Sequence, residues 1–542
     1  MSLMSMTVTS YTFLIFIAVF MVIYYLMPKK KYQWVLMLAA NFFFYVCACS
    51  KIRNAIIQIC AIVFTSVLTY CATRLMQRFR DQNTLKLASF GEGITKEQKK
   101  ECKKELQKKI KRVQVITIII ELACLALVKY VKGAVEDFNT IFDTALPEIS
   151  ILAPLGISFY TFASLGYVLD VARGKYAPEK NYLKVLTFLS FFPSIVQGPI
   201  NRFDDVGKQL FEEHHFDYDR LVKGAELMLW GFFKKLVIAD RAVNIVTTIF
   251  ASDYKQFCGS QFLFAATVYY FQIYCDFSGG IDICRGAAEI LGIDLPLNFE
   301  RPTFSLSVTE FWRRWHMTLG GWMRDYVFYP VMLSKPVLKL SQKFSKRFGK
   351  FAGKMVPSVI TPAVVFFLMG IWHGATFQYL AYAVYYAAVT SGSVAFEGVF
   401  KKIKKVLHIN DQAFSYKVFC MLRVFALTSV SRIIVKAPRF RAIPFIFKSI
   451  FTNFNADFLF NLDGNLFKMG LDAKNMLILF LAILILATVS ILQENGIHIR
   501  DSLNKQNIAF RWFILIALFV IVLIFGQYGQ GYDASSFIYQ AY

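Results

Sequence analysis

Apolar runs of seventeen to twenty-odd residues recur from one end of this chain to the other, and nothing else in the sequence constrains its fold as strongly. Each is long enough to cross a hydrocarbon layer of roughly 30 Å as a helix. Hydrophobic residues make up 56% of the 542 positions and charged residues only 18%. That is more apolar surface than a water-soluble core can hide, so much of it faces lipid. The expected fold class is an all-α polytopic membrane protein with about 11–13 membrane segments, some re-entrant or interfacial, around a central tunnel.

The net charge of +24 is localised, and the alternation of basic with neutral or acidic loops is the positive-inside pattern rather than a nucleic-acid-binding signal. The run Tyr11–Met27 has no basic residue before it and ends at Pro28-Lys29-Lys30-Lys31. It reads as an uncleaved first span entering from outside. Further spans are expected at Tyr32–Cys49, Ala55–Met76 and Val113–Val128. Between the last two, Arg78–Arg112 carries twelve Lys or Arg against five acids, and Thr95–Arg112 has the Lys/Glu spacing of a soluble basic helix. This stretch is a solvated cytoplasmic loop that fixes topology, or a docking surface for anionic lipid or an acidic partner. Val135–Glu148 and Asn453–Asp472 are acidic and suit outer loops. Later apolar segments fall at Gln378–Phe396, Phe414–Val430, Ile443–Phe451, Met476–Leu492 and Trp512–Phe525. The expected division is 1–148 for N-terminal helices, 149–396 for a core, and 397–542 for C-terminal helices and an outer tail, with both termini outside.

In the core, Gly, Pro, Arg, Asp and His interrupt the apolar runs where a lipid-facing helix would not tolerate them. Such residues survive at membrane depth only inside a protein cluster or along a wet cavity. Of the six His, His214 and His215 lie in a polar loop and read as solvated, and His408 and His498 sit in basic connectors. His373 closes an apolar run with Gly370 and Gly374 beside it, which admit a substrate or another backbone. It is a functional imidazole or a packed one bonded to a carbonyl. His316 lies in Glu310–Tyr326, where three Trp and three Arg mark an interfacial or re-entrant segment. If that segment is one helix, Trp312, His316, Leu319 and Met323 share a face that lines a tunnel or rests on the bilayer. No metal-ligand spacing, CxxC, Walker motif, GxSxG or GxGxxG occurs, so no metal site and no permanently bound cofactor is expected.

The strings FWRRWHMTLGGWMRDYVFYP (Phe311 to Pro330) and GIWHGATFQYLAYAVYYA (Gly370 to Ala387) resemble the membrane-bound O-acyltransferase superfamily, as do blocks at Pro154–Gly174, Phe191–Phe203, Gly231–Asp240 and Phe271–Pro302 and the tail from Phe525. The resemblance is nearest to the alginate O-acetylation branch, with the D-alanyl transfer branch a nearer cousin than the eukaryotic lipid enzymes. It implies that His373 and His316 are catalytic. Trp312, Arg314, Asp325, Trp372, Asn298 and Asp276 are candidates to bind substrate or line the tunnel. The implied reaction takes an acyl group, acetyl before others, from a cytoplasmic thioester, acetyl-CoA or an acyl carrier protein, to hydroxyls of an exported or cell-surface polysaccharide. The implied partners are that donor, an extracytoplasmic acyl-transfer protein, the glycopolymer and membrane lipids, in the cytoplasmic membrane of a bacterium. After Pro330 the chain departs from the alginate-type turn into Lys335–Lys354, with seven basic residues and no acid. That leaves D-alanyl transfer to a teichoic-acid-like polymer open. A polysaccharide or lipid transporter is the reading from another class.

Overall fold

The computed structural model describes residues 6–528 except positions 50, 91–93, 143, 145–146, 148–153, 252, 375, 456 and 458–468. Most of the described residues are helical, and no strand element occurs among them. Six helices have the length and composition of membrane spans: Ile52–Ser89, Lys96–Val131, Lys335–His373, Phe414–Lys436, Ala473–Glu494 and Ile508–Phe525. Tyr11–Leu26 and Ala442–Thr452 are shorter apolar helices. The expected all-α polytopic membrane architecture holds. Most of the outer loop Asn453–Asp472 and of the tail lies outside the described residues.

The chain forms two units, residues 1–225 with 284–296, and residues 226–283 with 297–542. In the first, the expected loop Arg78–Arg112 is largely helix. Ile52–Ser89 runs well beyond Met76, and at 1.5 Å per residue its 38 residues reach about 57 Å. The basic helix expected at Thr95–Arg112 continues directly into the following span, as Lys96–Phe142. Lys86 and Glu105 pair across the two arms at 3.2 Å.

Polar anchors hold this unit together in its apolar setting. Ser164 donates to Glu121 at 2.6 Å, and the Asn41 amide donates to Ser190 while accepting from the Phe192 N–H at 3.0 Å. His214 corrects an expectation: it is buried, not solvated. Its N–H donates to Gln33 Oε1, its carbonyl accepts from Gln33 Nε2, and its Nε2 meets the Gln209 carbonyl at 2.8 Å. Those bonds give a buried polar segment partners that water would otherwise supply. His215 stays exposed.

The second unit carries the interrupted core. A Cβ at Gly231 would stand 2.6 Å from the Gly279 carbonyl oxygen, and one at Gly279 2.9 Å from that of Gly231. Glycine at both positions therefore lets two helices cross at backbone contact. Beside this crossing the helix widens into a π turn, Phe233–Ala239, which presents two buried lysines. Lys234 reaches Asp282 at 2.6 Å and Ser278 at 3.0 Å, and Lys235 bridges Asp276 at 2.6 Å and Asp240 at 2.7 Å. The long Lys335–His373 helix breaks at Gly349, which has φ 86 and ψ 166. Gly353 packs on Ser341 and Ser345 there, so the basic stretch folds against the start of the apolar span.

Candidate active site

The segment expected to be one helix is two. Val308–Arg314 ends at Trp315, and Met317–Met323 begins after His316. His316 has φ 47 and ψ 53, a left-handed conformation that is costly for a residue with a Cβ and that clusters at functional sites. The shared face proposed for Trp312, His316, Leu319 and Met323 is therefore broken at its centre. What breaks it is a short antiparallel pairing. Phe299 bridges Trp315, the Glu300 N–H donates to the Arg314 carbonyl, and the Met317 N–H donates to the Asn298 carbonyl, each at 2.9 Å.

Asn298, fully buried, sets the state of His316. Its Oδ1 accepts from the Thr318 N–H and the Thr318 hydroxyl, both at 2.9 Å, and lies 3.2 Å from His316 Nδ1. The backbone donor fixes the amide orientation, because only the oxygen can accept from it. A carboxamide oxygen cannot donate, so Nδ1 carries the ring proton and Nε2 is the basic nitrogen. His316 lies outside every spanning helix. Burial first, and His373 second, push its pKa down to about 3, so the ring is neutral at physiological pH.

Aromatic walls surround it. The Phe277 ring stands edge-on to His316 with centroids 4.7 Å apart, and Trp372 lies 6.3 Å from His316 and 4.6 Å from His373. Trp372 thus packs beside both imidazoles. His373 ends its span, stacks on Tyr379 at 5.6 Å and meets Tyr382 edge-on at 6.0 Å. Gly370 and Gly374 admit protein: a Cβ at Gly370 would be 2.7 Å from the Tyr379 carbonyl oxygen, and one at Gly374 2.9 Å from the Tyr379 ring.

His373 and Trp312 line a cavity of about 80 Å³ with Tyr270, Tyr379, Tyr382, Tyr386, Ser431 and Arg432. Most of these residues carry no signal in the sequence. Tyr379, Tyr382 and Tyr386 fall at i, i+3 and i+7 on one helix face, a pattern that a core would also produce. Arg432 lies in an apolar span with no motif around it. Its burial is the only hint, and that is a property of the fold.

The other charged candidates form ion pairs. Arg314 holds Glu494 at 2.9 Å and Glu310 at 2.8 Å, and Glu494 also accepts from Arg301 at 2.7 Å. The short pairing around His316 is thereby tied to the end of the Ala473–Glu494 helix. Asp325 pairs with Arg324 at 3.0 Å, and Asp276 with Lys235. Neither Arg314, Asp325 nor Asp276 lines the described cavity.

Comparison with known proteins gives the same direction. The chain is 30% identical over 334 residues to a protein named "Probable alginate O-acetylase AlgI" from Pseudomonas syringae pv. tomato, covering 61% of this chain and 58% of that one. It is 31% identical over 265 residues to a teichoic acid D-alanyltransferase from Bacillus subtilis, covering 48% of this chain and 63% of that one. It is 25% identical over 317 residues to a peptidoglycan O-acetyltransferase from Helicobacter pylori, covering 53% and 56%. The chain thus spans between about half and two thirds of the length of these relatives. Residues 177–431 match the model of the membrane-bound O-acyltransferase family, and that stretch holds the Phe299–Trp315 pairing, His316 and His373.

Proposed function

We propose that this chain is a membrane O-acyltransferase that moves a short acyl group, acetyl, from a thioester donor to hydroxyls of an exported or cell-surface polysaccharide. The observation that carries the reading is the cavity at His373, small, aromatic and flanked through Trp372 by a second, neutral imidazole. His373 is the base. As the acceptor hydroxyl attacks the thioester carbonyl carbon, its proton passes to the imidazole, a C–O bond forms, the C–S bond breaks, and the proton leaves with the thiol. His316, with Nδ1 committed to Asn298, offers Nε2 as a second neutral acceptor near that path. The aromatic walls exclude water, which would otherwise hydrolyse the donor.

The cavity also favours acetyl over D-alanyl. A D-alanyl group carries an ammonium, which needs an acid partner. Among the described lining residues there is no carboxylate, and Arg432 stands in the wall. About 80 Å³ accommodates a few water-sized groups, enough for a two-carbon acyl group and not for a fatty chain. The donor, acetyl-CoA or an acyl carrier protein, approaches from the side of the basic helix after Ser334, where Leu338, Phe344 and Phe348 are exposed beside Lys339, Lys343 and Lys346. The setting is a bacterial cytoplasmic membrane with both termini outside, and an extracytoplasmic protein completes delivery to the glycopolymer.

The test is His373→Ala in cells, with insertion and abundance verified, followed by base release of esters from the surface polymer and mass spectrometry. Loss of released acetate is expected. Unchanged ester content refutes the assignment of His373, and release of D-alanine in place of acetate selects the other acyl group. A transporter would leave no ester to release in either strain.

A further inference from the structure

Arg432 lies inside the Phe414–Lys436 span and is 7% exposed. A guanidinium at such a place is expensive unless it is compensated, and residues of this kind at membrane depth mark function. Its compensation is partial and neutral. Nη2 donates to the Phe425 carbonyl at 3.2 Å and to the Ser429 hydroxyl. The group lies over the rings of Phe425 and Tyr270, at 4.7 and 4.8 Å from their centroids. Among the described residues no carboxylate is within ion-pairing distance of it, and its buried Nε has no hydrogen-bond partner. The buried indole Nε1 of Trp312 likewise has none. Both side chains line the cavity that contains His373.

The cavity, about 80 Å³, suits a short acyl group better than a sugar ring or a phosphorylated carrier arm. The charge that enters it is therefore the charge that develops on the acyl carbonyl oxygen during attack. We propose that Arg432 is an oxyanion-binding residue of the acyl-transfer site, recognising the carbonyl of a short acyl group and, in the same place, a short free carboxylate such as acetate. The proposal rests on the acyltransferase reading above. In the reaction the C=O electron pair moves onto oxygen as the acceptor C–O bond forms. The Arg432 guanidinium holds that oxygen by charge-assisted hydrogen bonds, with the Trp312 N–H as second donor, until the pair returns and the thiolate departs. Donors fixed in place before the reaction act most strongly where water is excluded.

Two measurements test it on the purified full-length chain in detergent. The first compares Arg432→Gln and Arg432→Lys with the parent in transfer from an acetyl thioester. The expected result is a fall in kcat of about 10² to 10³ for Arg432→Gln with donor KM within threefold, and partial retention for Arg432→Lys, which keeps the charge. A kcat within threefold of the parent, or a loss carried entirely by KM, overturns the proposal. The second needs no turnover: thermal unfolding of the parent is followed against sodium acetate and sodium hexanoate, with sodium chloride matching the ionic strength. Stabilisation by acetate that hexanoate does not give, and that Arg432→Gln abolishes, is expected. Absence of that stabilisation in the parent, or its survival in Arg432→Gln, overturns the proposal even if the variant fails to turn over. If the parent transfers no acyl group yet binds acetate through Arg432, the acyltransferase reading fails and the anion site stands.

Discussion

Replacing Asn298 by Asp leaves the shape of the site nearly unchanged and alters its charge, which isolates the part His316 plays. In the parent, Oδ1 of Asn298 accepts three contacts, two of 2.9 Å from Thr318 and one of 3.2 Å from His316 Nδ1. A carboxylate can accept all three, so the Phe299–Trp315 pairing and the left-handed turn at His316 should survive. What changes is the imidazole. Burial holds its pKa at about 3 in the parent, so His316 stays neutral across the assay range and contributes no acid limb to the pH–rate profile. A buried carboxylate in direct contact favours the imidazolium, and such an acid–base pair typically raises the pKa by about 1–3 units. In Asn298→Asp the inflection should move up from its position below the assay range. If neutral Nε2 is needed, activity should fall most steeply at the acid end and recover as pH rises. The assay is acyl transfer from an acetyl thioester between pH 5 and 9, with the unfolding midpoint measured in parallel. Asn298→Ala is the contrasting change: it strands three donors in a buried site, at about 1–3 kcal/mol for each unsatisfied group, and should lower stability and rate together at every pH. A pH profile for Asn298→Asp that superimposes on the parent at unchanged rate would refute the role given to His316.

Three further expectations follow from the core. Lys235 is wholly buried between Asp276 and Asp240, so Lys235→Met should destabilise the protein by about 3–5 kcal/mol by leaving two buried carboxylates without their cation; Asp276→Asn, which leaves Asp240 paired to the lysine, should cost less, and thermal unfolding in detergent would expose a reversed order. Gly231→Leu places side-chain atoms where a Cβ alone would already stand 2.6 Å from the Gly279 carbonyl oxygen; it should reduce folded yield sharply by forcing the helices apart, and normal yield with an unchanged unfolding midpoint would contradict the close crossing. Neutralising Lys335, Lys339, Lys343 and Lys346 together should raise the donor KM and flatten its salt dependence while leaving kcat near the parent value; an unchanged KM at low salt would remove the basic helix from donor docking.

The site was legible in the sequence to the extent that its residues break a rule of their surroundings. His316, His373, Trp312 and Trp372 stand out because imidazole and indole are conspicuous in an apolar run, and the structure places Trp372 beside both histidines. Asn298 was visible as a polar residue in a core block, although its service to His316 depends on a pairing across seventeen residues that no periodicity announces. Asp276 and Arg314 were equally visible, and the fold uses them as braces. Arg432 and the tyrosines of the cavity were not distinguishable, because tyrosine at helical spacing also describes ordinary packing. The same limit explains His214, whose polar neighbours suggest solvent but which Gln33, far away in sequence, takes into the interior.

By itself, then, the sequence determined the medium: a chain this apolar, with its charges gathered between the runs, has to place helices in lipid, and composition and length suffice to say so. It also determined which residues could not be passive, since a charge or imidazole at membrane depth needs a partner. Only the tertiary structure decided which partner. Whether a buried charge meets an opposite charge, as Lys235 does, or faces a cavity, as Arg432 does, depends on contacts between segments far apart along the chain. Local pattern carries no information about such contacts, because the same spacing serves packing and chemistry alike.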